Sequence, residues 1–285
     1  MKERITTAAV GLSVLALVLV FFDTIVVNIA AAGICILALL ELFKAAELIR
    51  YRILTGICCL FCLLIVFSHL PAVSNFFSYL CYLLVAGLFV VLLRHHDELK
   101  VEQVSYAFLM SLLLSVSFYC LILMKEQGGA QVGMFYLLLV FGSAWWSDGG
   151  AYFVGTFFGK HKLCPGISPK KTVEGLVGGI VTAIVGNVLV CLAFQEFCAA
   201  AAPLGYLRSA VSIDIPAVAL VTPLAALLGV LGDLAASVIK RQHGIKDFGH
   251  IMPGHGGAMD RFDSVLFVSP LFYFIFNIYP LILAI

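Results

Sequence analysis

Residues 104–124 have the sequence VSYAFLMSLLLSVSFYCLILM, which contains no charged side chain. An α-helix rises about 1.5 Å per residue, so about 20 apolar residues are enough to cross the hydrocarbon core of a bilayer. The stretch therefore predicts a membrane-spanning helix. Long unbroken apolar runs also argue against a membrane β-barrel, because barrel strands alternate between apolar and polar residues.

The same character extends over the whole chain of 285 residues, of which 62% are hydrophobic and 12% are charged. Soluble domains contain about 25% charged residues, so this composition excludes an ordinary soluble protein. The predicted fold class is all-α, a polytopic membrane protein with about nine transmembrane helices. The spans are expected at residues 5–22, 24–42, 53–70, 72–93, 104–124, 131–150, 172–194, 215–236 and 263–284.

The basic residues indicate how these spans are oriented. With the N-terminus inside the cell, 15 of the 17 lysines and arginines fall in cytoplasmic segments, and only Lys125 and Arg208 fall outside. This bias follows the positive-inside rule. It predicts a cytoplasmic N-terminus, a C-terminus on the outer side, and two charged cytoplasmic loops at residues 156–172 and 237–262.

Polar residues of unusual placement are concentrated in the C-terminal half of the chain. No internal repeat and no low-complexity linker separates one part of the sequence from another. We therefore expect a single integral membrane domain over residues 1–285. Within it, residues 1–130 are expected to be structural helices, and residues 142–263 are expected to contain the chemistry.

The end of the eighth predicted span combines a carboxylate, a hydroxyl and an ammonium. Asp233 lies close to membrane depth, where an ionised side chain is costly and usually has a partner or a task. Ser237 follows at i+4 and Lys240 at i+7, so a helix would place all three on one face. The alternative explanation is a structural ion pair at a helix end.

Further carboxylates occur where the ninth predicted span begins. Asp260 and Asp263 are three residues apart, a spacing at which helical side chains project together, although one of them could be a helix cap. With Asp233 and Asp247 they supply oxygen ligands of the kind that Mg²⁺ prefers. The His-Gly-Gly run at 255–257 could approach a phosphate closely or form a flexible turn. The histidines of this loop fit no common zinc spacing, so zinc is disfavoured.

The other cytoplasmic loop is basic and contains a Lys-Lys-Thr run. The glycines before this run are not spaced as in a P-loop, so a nucleotide site of that type is disfavoured. The lysines are either anchors at the lipid surface or ligands for phosphate groups. The candidate residues of this region are Asp148, Ser168, Lys170, Lys171, Thr172 and Glu174.

Acidic groups that could hold Mg²⁺ and basic groups that could neutralise phosphates are the minimum requirement for phosphoryl or nucleotidyl transfer. The spacing of the residues leads no further than that class of reaction. An expected position at the membrane surface suggests one substrate from the lipid and one from the cytosol.

Residues 237–263 resemble the signature of the phosphatidate cytidylyltransferases, also called CDP-diacylglycerol synthases. The pattern is Ser-x-aliphatic-Lys-Arg, four residues, Lys-Asp, a small residue, Pro-x-His-Gly-Gly and Asp-Arg-x-Asp. Only the apolar positions Met252 and Ala258 depart from it, which affects packing rather than polar chemistry. Residues 148–175 also resemble the family, whereas residues 1–130 match only in hydropathy. The matched residues are Ser237, Lys240, Arg241, Lys246, Asp247, Gly249, Pro253, His255, Gly256, Gly257, Asp260, Arg261 and Asp263.

The resemblance implies a reaction in which CMP is transferred from CTP to phosphatidic acid, giving CDP-diacylglycerol and pyrophosphate without a covalent enzyme intermediate. It implies a Mg²⁺ cofactor and leaves a second, monovalent cation open. The expected partners are CTP, phosphatidic acid and the lipid bilayer, with a homodimer as a family expectation and no nucleic acid. The expected location is the cell's inner (plasma) membrane, with the active site on the cytoplasmic face.

The resemblance also implies a role for individual residues. The catalytic residues would be Asp233, Asp260, Lys240, Arg241 and Asp263. The metal ligands would be Asp233, Asp260, Asp263 and Asp247. The substrate-binding residues would be Ser168, Lys170, Lys171, Thr172, Ser237, Lys246, His255, Arg261, Asp148 and Glu174.

Other functions agree less well with the sequence. A transporter for an anionic solute would show inverted repeats and charge towards both membrane faces, and the sequence shows neither. A CDP-alcohol phosphotransferase would contain an Asp-x-x-Asp-Gly-x-x-Ala-Arg run, which is missing here, while a lipid kinase of the same broad group stays open. A catalytically inactive scaffold has no support, because every polar position of the signature is filled.

Overall fold

The computed structural model describes residues 18, 20–70, 73, 76–201, 211–249 and 256–284. Most of the first predicted span, residues 5–22, lies outside this described part. The described helices are α1 (Val26–Ala45), α2 (Arg52–Val66), α3 (Phe77–Arg94), α4 (Val101–Phe158), α5 (Val173–Ala201), α6 (Ile215–Gln242), α7 (Met259–Phe262) and α8 (Val265–Ile278), with a 3₁₀ turn at Leu48–Arg50. The described strands are β1 (Lys162–Cys164), β2 (Ser168–Thr172), β3 (Val211–Ile213) and β4 (Ile282–Ala284).

Five helices in the described part of the chain are long and apolar enough to cross a membrane, namely α1, α3, α4, α5 and α6. The helices α2 and α8 are also apolar but have only 15 and 14 residues. The helical content and these apolar helices agree with the predicted class of helical membrane protein. The count of nine spans and the orientation of the two termini stay predictions.

The longest helix, α4, contains a break at Gly129, where φ is 75° and ψ is 172°. Glycine adopts this backbone conformation readily because it has no Cβ. The break divides the 58 residues of α4 into two helical parts. The predicted spans at 104–124 and 131–150 lie on opposite sides of it, so one glycine rather than a long loop separates the two helical parts.

Two short antiparallel sheets were not predicted from the sequence. β1 pairs with β2 inside the predicted cytoplasmic loop 156–172, and β3 pairs with β4. The strand β4 occupies residues that were predicted to end the ninth span, because α8 stops at Ile278 shortly before Pro280. Strand pairing satisfies main-chain N–H and C=O groups that an irregular loop would leave without partners.

The chain divides into two compact units. The first unit contains residues 1–123 and 239–262, and the second contains residues 124–238 and 263–285. In the first unit, α1 and α3 both pack against α2, around buried side chains such as Leu39, Phe43 and Leu54. The predicted division near residue 130 of a single membrane domain stays a prediction.

A buried polar cluster joins three helices of the second unit. The amide nitrogen of Asn187 on α5 donates to the hydroxyl of Ser143 on α4 (2.8 Å) and to the hydroxyl of Thr222 on α6 (3.1 Å). All three side chains are fully buried. Hydrogen bonds between apolar helices stabilise their association because neither partner has water as an alternative.

The β3–β4 end of the second unit is closed by a different polar contact. The hydroxyl of Tyr279 donates to the carboxylate of Asp214 over 2.6 Å, and Asp214 also accepts the main-chain N–H of Ala217 at the start of α6. These two hydrogen bonds hold the pKa of the Asp214 carboxyl below its usual value.

Candidate active site

In the first unit, the last turn of α6 places Lys240 against Asp260 of α7. The Lys240 Nζ lies 2.8 Å from Asp260 Oδ1, and the two side chains are only 14% and 6% exposed. The ring of Phe248 lies beneath the ammonium, with its centroid 5.3 Å from Nζ. The ion pair is therefore largely shielded from water, which strengthens the interaction and fixes the position of the ammonium.

The second oxygen of Asp260 organises the chain around it. Asp260 Oδ2 accepts the main-chain N–H of Phe248 at 2.9 Å and that of Gly257 at 3.0 Å. Next to it, Gly256 has a φ of 85°, a conformation that favours glycine. One carboxylate therefore holds a lysine of α6 and two separate points of the segment 243–259, called the signature loop below.

Another carboxylate of the first unit, Glu41, was not among the predicted site residues. Glu41 lies near the end of α1 and is 5% exposed. Its Oε1 accepts the N–H of Ala258 at 3.0 Å, and its Oε2 accepts the N–H of Met259 at 2.8 Å. The sequence did contain a signal for it, because an ionisable residue inside an apolar span is a candidate functional residue.

In the second unit, Asp233 on α6 pairs with Lys171 at the end of β2. The Lys171 Nζ lies 2.5 Å from Asp233 Oδ2, and the hydroxyl of Ser237 lies 3.4 Å from Asp233 Oδ1. The Lys171 ammonium is buried, yet the close contact with Asp233 is not aligned for a hydrogen bond, and no other described residue accepts one from it. An ammonium has three donors, so the pair with Asp233 leaves donors of this lysine without an acceptor among the described residues.

The β1–β2 hairpin that contains Lys171 is attached to α5 by two side chains. The Glu174 carboxylate accepts the main-chain N–H groups of Lys160 and His161, both at 3.1 Å, and lies 2.5 Å from His161 Nδ1. The buried hydroxyl of Thr172 accepts the N–H of Gly175 at 3.1 Å, which caps the first turn of α5. In this structure both side chains hold the hairpin in place.

The remaining predicted residues differ in how deeply they are buried. Asp263 is buried, and its Oδ1 accepts the N–H of Ser264 at 2.8 Å. Because α7 ends at Phe262, Asp260 and Asp263 do not lie on one continuous helix. Ser168 is half-buried, and His255 lies outside the described residues. The exposed members are Asp148, Lys170, Arg241, Lys246, Asp247 and Arg261.

The predicted Mg²⁺ can be compared with the carboxylates that the structure describes. No group of three or more His, Cys, Asp or Glu side chains in the described ranges is close enough to hold a metal ion. Mg²⁺ often takes only one or two carboxylates and completes its shell with water and substrate phosphates. Asp233 fits that requirement, since it is 28% exposed and one oxygen has only the long contact with Ser237. Asp260 fits it less well because hydrogen bonds occupy both of its oxygens.

The apolar helices define a helical membrane protein, and each unit contains a lysine–carboxylate pair. The sequence profile of the cytidylyltransferase family matches residues 2–279 of the chain. Among curated proteins, the phosphatidate cytidylyltransferase of Bacillus subtilis strain 168 is 33% identical over 285 residues, covering 98% of both chains. Those of Staphylococcus haemolyticus strain JCSC1435 and Staphylococcus epidermidis strain ATCC 12228 are 33% and 34% identical, covering 95% of this chain and 97% of each relative.

The chain therefore belongs to the cytidylyltransferase family, and it is a nucleotidyltransferase. The resemblance noted in residues 237–263 is confirmed by similarity along almost the whole chain, including the N-terminal helices that matched only in hydropathy. The comparisons do not assign roles to individual side chains, so the predicted site residues stay predictions.

Proposed function

We propose that this protein transfers CMP from CTP to phosphatidic acid, producing CDP-diacylglycerol and pyrophosphate for phospholipid biosynthesis. The proposal places the enzyme in the plasma membrane with its site on the cytoplasmic face. It is supported by the relatives, which are named phosphatidate cytidylyltransferases and match this chain over nearly its full length. The observation that carries it is the buried ammonium of Lys171, which is paired with Asp233 and has donors that no described residue accepts.

In the proposed reaction, an ionised phosphate oxygen of the lipid attacks the α-phosphorus of CTP. A new P–O bond forms, and the bond from the α-phosphorus to the oxygen that bridges it to the β-phosphorus breaks. The pyrophosphate leaves with that electron pair. Because the lipid phosphate is already ionised near pH 7, the reaction requires no general base and no covalent intermediate on the enzyme.

The lysines and arginines would neutralise the phosphates during transfer. In the second unit, Lys171 and the exposed Lys170 belong to a hairpin that Glu174 and Thr172 hold against α5. In the first unit, Asp260 fixes the ammonium of Lys240. Fixed positive charges stabilise the charge that develops on the leaving group, since they need no reorganisation during the reaction. The exposed residues Arg241, Lys246 and Arg261 would bind the same kind of group at the protein surface.

Asp233 is the residue that would hold Mg²⁺ together with the phosphates of CTP. When bound, the ion supplies charge neutralisation at the phosphates. Asp263, Asp247 and Asp260 stay proposed as further ligands, with Asp260 better suited to orient Lys240. Removing divalent ions with EDTA should lower CMP transfer at least 100-fold, and added Mg²⁺ should restore it. Activity that persists in EDTA would contradict the cofactor.

The reaction can be tested with purified protein in mixed micelles of detergent and phosphatidic acid, using CTP labelled either in cytosine or at the γ-phosphate. We expect the cytosine label in lipid and the γ-label in pyrophosphate. A γ-label in lipid would instead identify a lipid kinase, and no transfer of either label would refute the proposal. Light scattering of the same sample tests the proposed homodimer.

A further inference from the structure

We propose that Glu41 is a positioning residue for the transfer reaction, and that its buried carboxylate fixes the 256–260 turn that holds Asp260 and Lys240. This inference rests on the proposed function for its kinetic consequence. The geometry that supports it lies entirely within the first unit.

The main-chain N–H groups of the turn are divided between two carboxylates. Glu41 accepts those of Ala258 and Met259, at 3.0 and 2.8 Å. Asp260 accepts those of Gly257 and Phe248, and in addition the ammonium of Lys240. Three successive main-chain amides, at 257, 258 and 259, therefore point at carboxylate oxygens. The position of Asp260 therefore depends on a turn that Glu41 anchors at the two residues just before it.

Two glycines of the signature loop lie against the same carboxylate. A Cβ built on Gly249 or on Gly257 would overlap the carboxylate oxygens of Glu41. The absence of a side chain at these two positions is thus required for Glu41 to reach the main chain. The sequence suggested that the His-Gly-Gly run could approach a phosphate or form a flexible turn, and the structure places the carboxylate of Glu41 against Gly257.

The location of Glu41 argues against a role in helix packing alone. Leu40 and Leu42 flank it on α1, and a buried carboxylate is costly unless charged or polar partners compensate for the lost water. A leucine at this position would fill the same space without that cost. The N–H groups that compensate the buried charge of Glu41 belong to the main chain of the signature loop. The carboxylate is therefore stable in its buried position only while that loop is ordered.

If Glu41 orders the turn, replacing it should displace Lys240. It should not remove a substrate contact, because Glu41 makes none under this proposal. Glu41→Gln keeps the shape of the side chain but leaves only one oxygen to accept both N–H groups. We expect at least a 10-fold fall in kcat, with KM for CTP within about threefold of the wild type. The control is Glu47→Gln, which changes an exposed carboxylate just beyond α1 and should behave as the wild type.

A double-mutant cycle with Asp260→Asn separates this role from a general loss of stability. If both carboxylates act through one turn, the kcat of the double variant should be no more than about threefold below that of the less active single variant. Losses that multiply, or a Glu41→Gln variant within twofold of the wild type at equal folded concentration, would overturn the inference. The thermal midpoint in detergent verifies the folded concentration.

Amide hydrogen exchange tests the inference without any activity measurement. Glu41→Gln should speed exchange at residues 257–259 at least 10-fold and leave the amides of α2 unchanged, whereas equal exchange at the turn would refute the anchoring. If the wild type transfers no CMP, the proposed function fails while this measurement still decides the role of Glu41.

A second variant approaches the same contact from the loop and serves if Glu41→Gln does not fold. Gly249→Ala should displace the carboxylate and reproduce the fall in kcat, whereas Gly33→Ala on α1, where a Cβ meets nothing within 4 Å, should not. Glu41→Asp shortens the side chain by one methylene. When it is combined with Gly249→Ala, the double variant should be at least threefold more active than Gly249→Ala alone. No recovery would contradict the proposed contact.

Discussion

The Lys171–Asp233 pair allows stability and catalysis to be measured separately in the same set of variants. Lys171→Met removes the ammonium while keeping an unbranched chain, and Asp233→Asn removes the negative charge with little change in shape. Each single variant leaves one charge without its partner in the second unit. The double variant removes both charges, so it restores electrical neutrality without restoring either chemical group.

The expected changes in stability follow from the burial of the pair. Breaking a fully buried ion pair costs about 3–5 kcal/mol, whereas an exposed pair contributes about 0.2–1 kcal/mol. The two side chains are 23% and 28% exposed, with the Lys171 ammonium itself buried. We therefore expect each single variant to lose about 1–2 kcal/mol of unfolding free energy, and the double variant to lose less than about 1 kcal/mol.

The expected changes in activity have a different pattern. If Lys171 binds a substrate phosphate and Asp233 takes part in the same chemistry, each has a role beyond neutralising the charge of the other. Removing one preorganised charge lowers kcat by about 10²–10³-fold in comparable sites. The double variant should therefore be as inactive as the worse single variant, although its stability recovers.

The assay is the transfer of cytosine label from CTP to phosphatidic acid, carried out on all four proteins beside thermal unfolding in detergent. A double variant that regains both stability and activity would show that the pair is only structural. That result would remove the observation on which the proposed function depends most. A matched charge change at the exposed Lys162 of β1 provides the control for altered loop charge.

Two further predictions concern the second unit. Glu174→Gln should lower activity about 10-fold, because the hairpin that contains Lys171 loses the contacts between Glu174 and His161. The labelled-CTP assay at equal folded concentration measures this loss. Unchanged activity would show that the hairpin does not need that anchor. Asn187→Leu should lower the unfolding free energy by about 1 kcal/mol, because the hydrogen bonds to Ser143 and Thr222 are lost. Activity per folded molecule should stay the same. A thermal midpoint equal to that of the wild type would contradict this prediction.

Features that depend on local sequence could be predicted well. The apolar stretches indicated helices because an apolar segment of about 20 residues has few other stable forms in a membrane. The spacing of Asp233 and Ser237 placed them on one helical face, and their side chains lie 3.4 Å apart on α6. The break between two spans near residue 129 was also expected, although its formation from one glycine was not.

Features that depend on distant parts of the chain could not be predicted in the same way. The sequence placed Asp233 and Lys240 on one face, but each finds a different partner, namely Lys171 and Asp260. Long flexible side chains choose among neighbours that only the tertiary fold defines. The contact between Glu41 and Met259 joins residues 218 positions apart, and no periodicity in the sequence indicates such a pairing.

The Lys171–Asp233 pair also suggests how a highly charged nucleotide could be bound under the proposed function. A lone ammonium or carboxylate would be costly at low solvent exposure, whereas a pair is neutral and compensates most of that cost before any substrate is bound. Under the proposed function, Lys171 exchanges the carboxylate of Asp233 for a phosphate oxygen, so the ammonium keeps an anionic partner throughout. Asp233 is then available for a cation that accompanies the nucleotide. This exchange conserves charge, and it predicts that CTP and Mg²⁺ together should raise the thermal midpoint of the wild type more than that of Lys171→Met, whereas Mg²⁺ alone should raise both equally. An equal rise in both proteins with CTP and Mg²⁺ would show that the lysine does not contact the nucleotide.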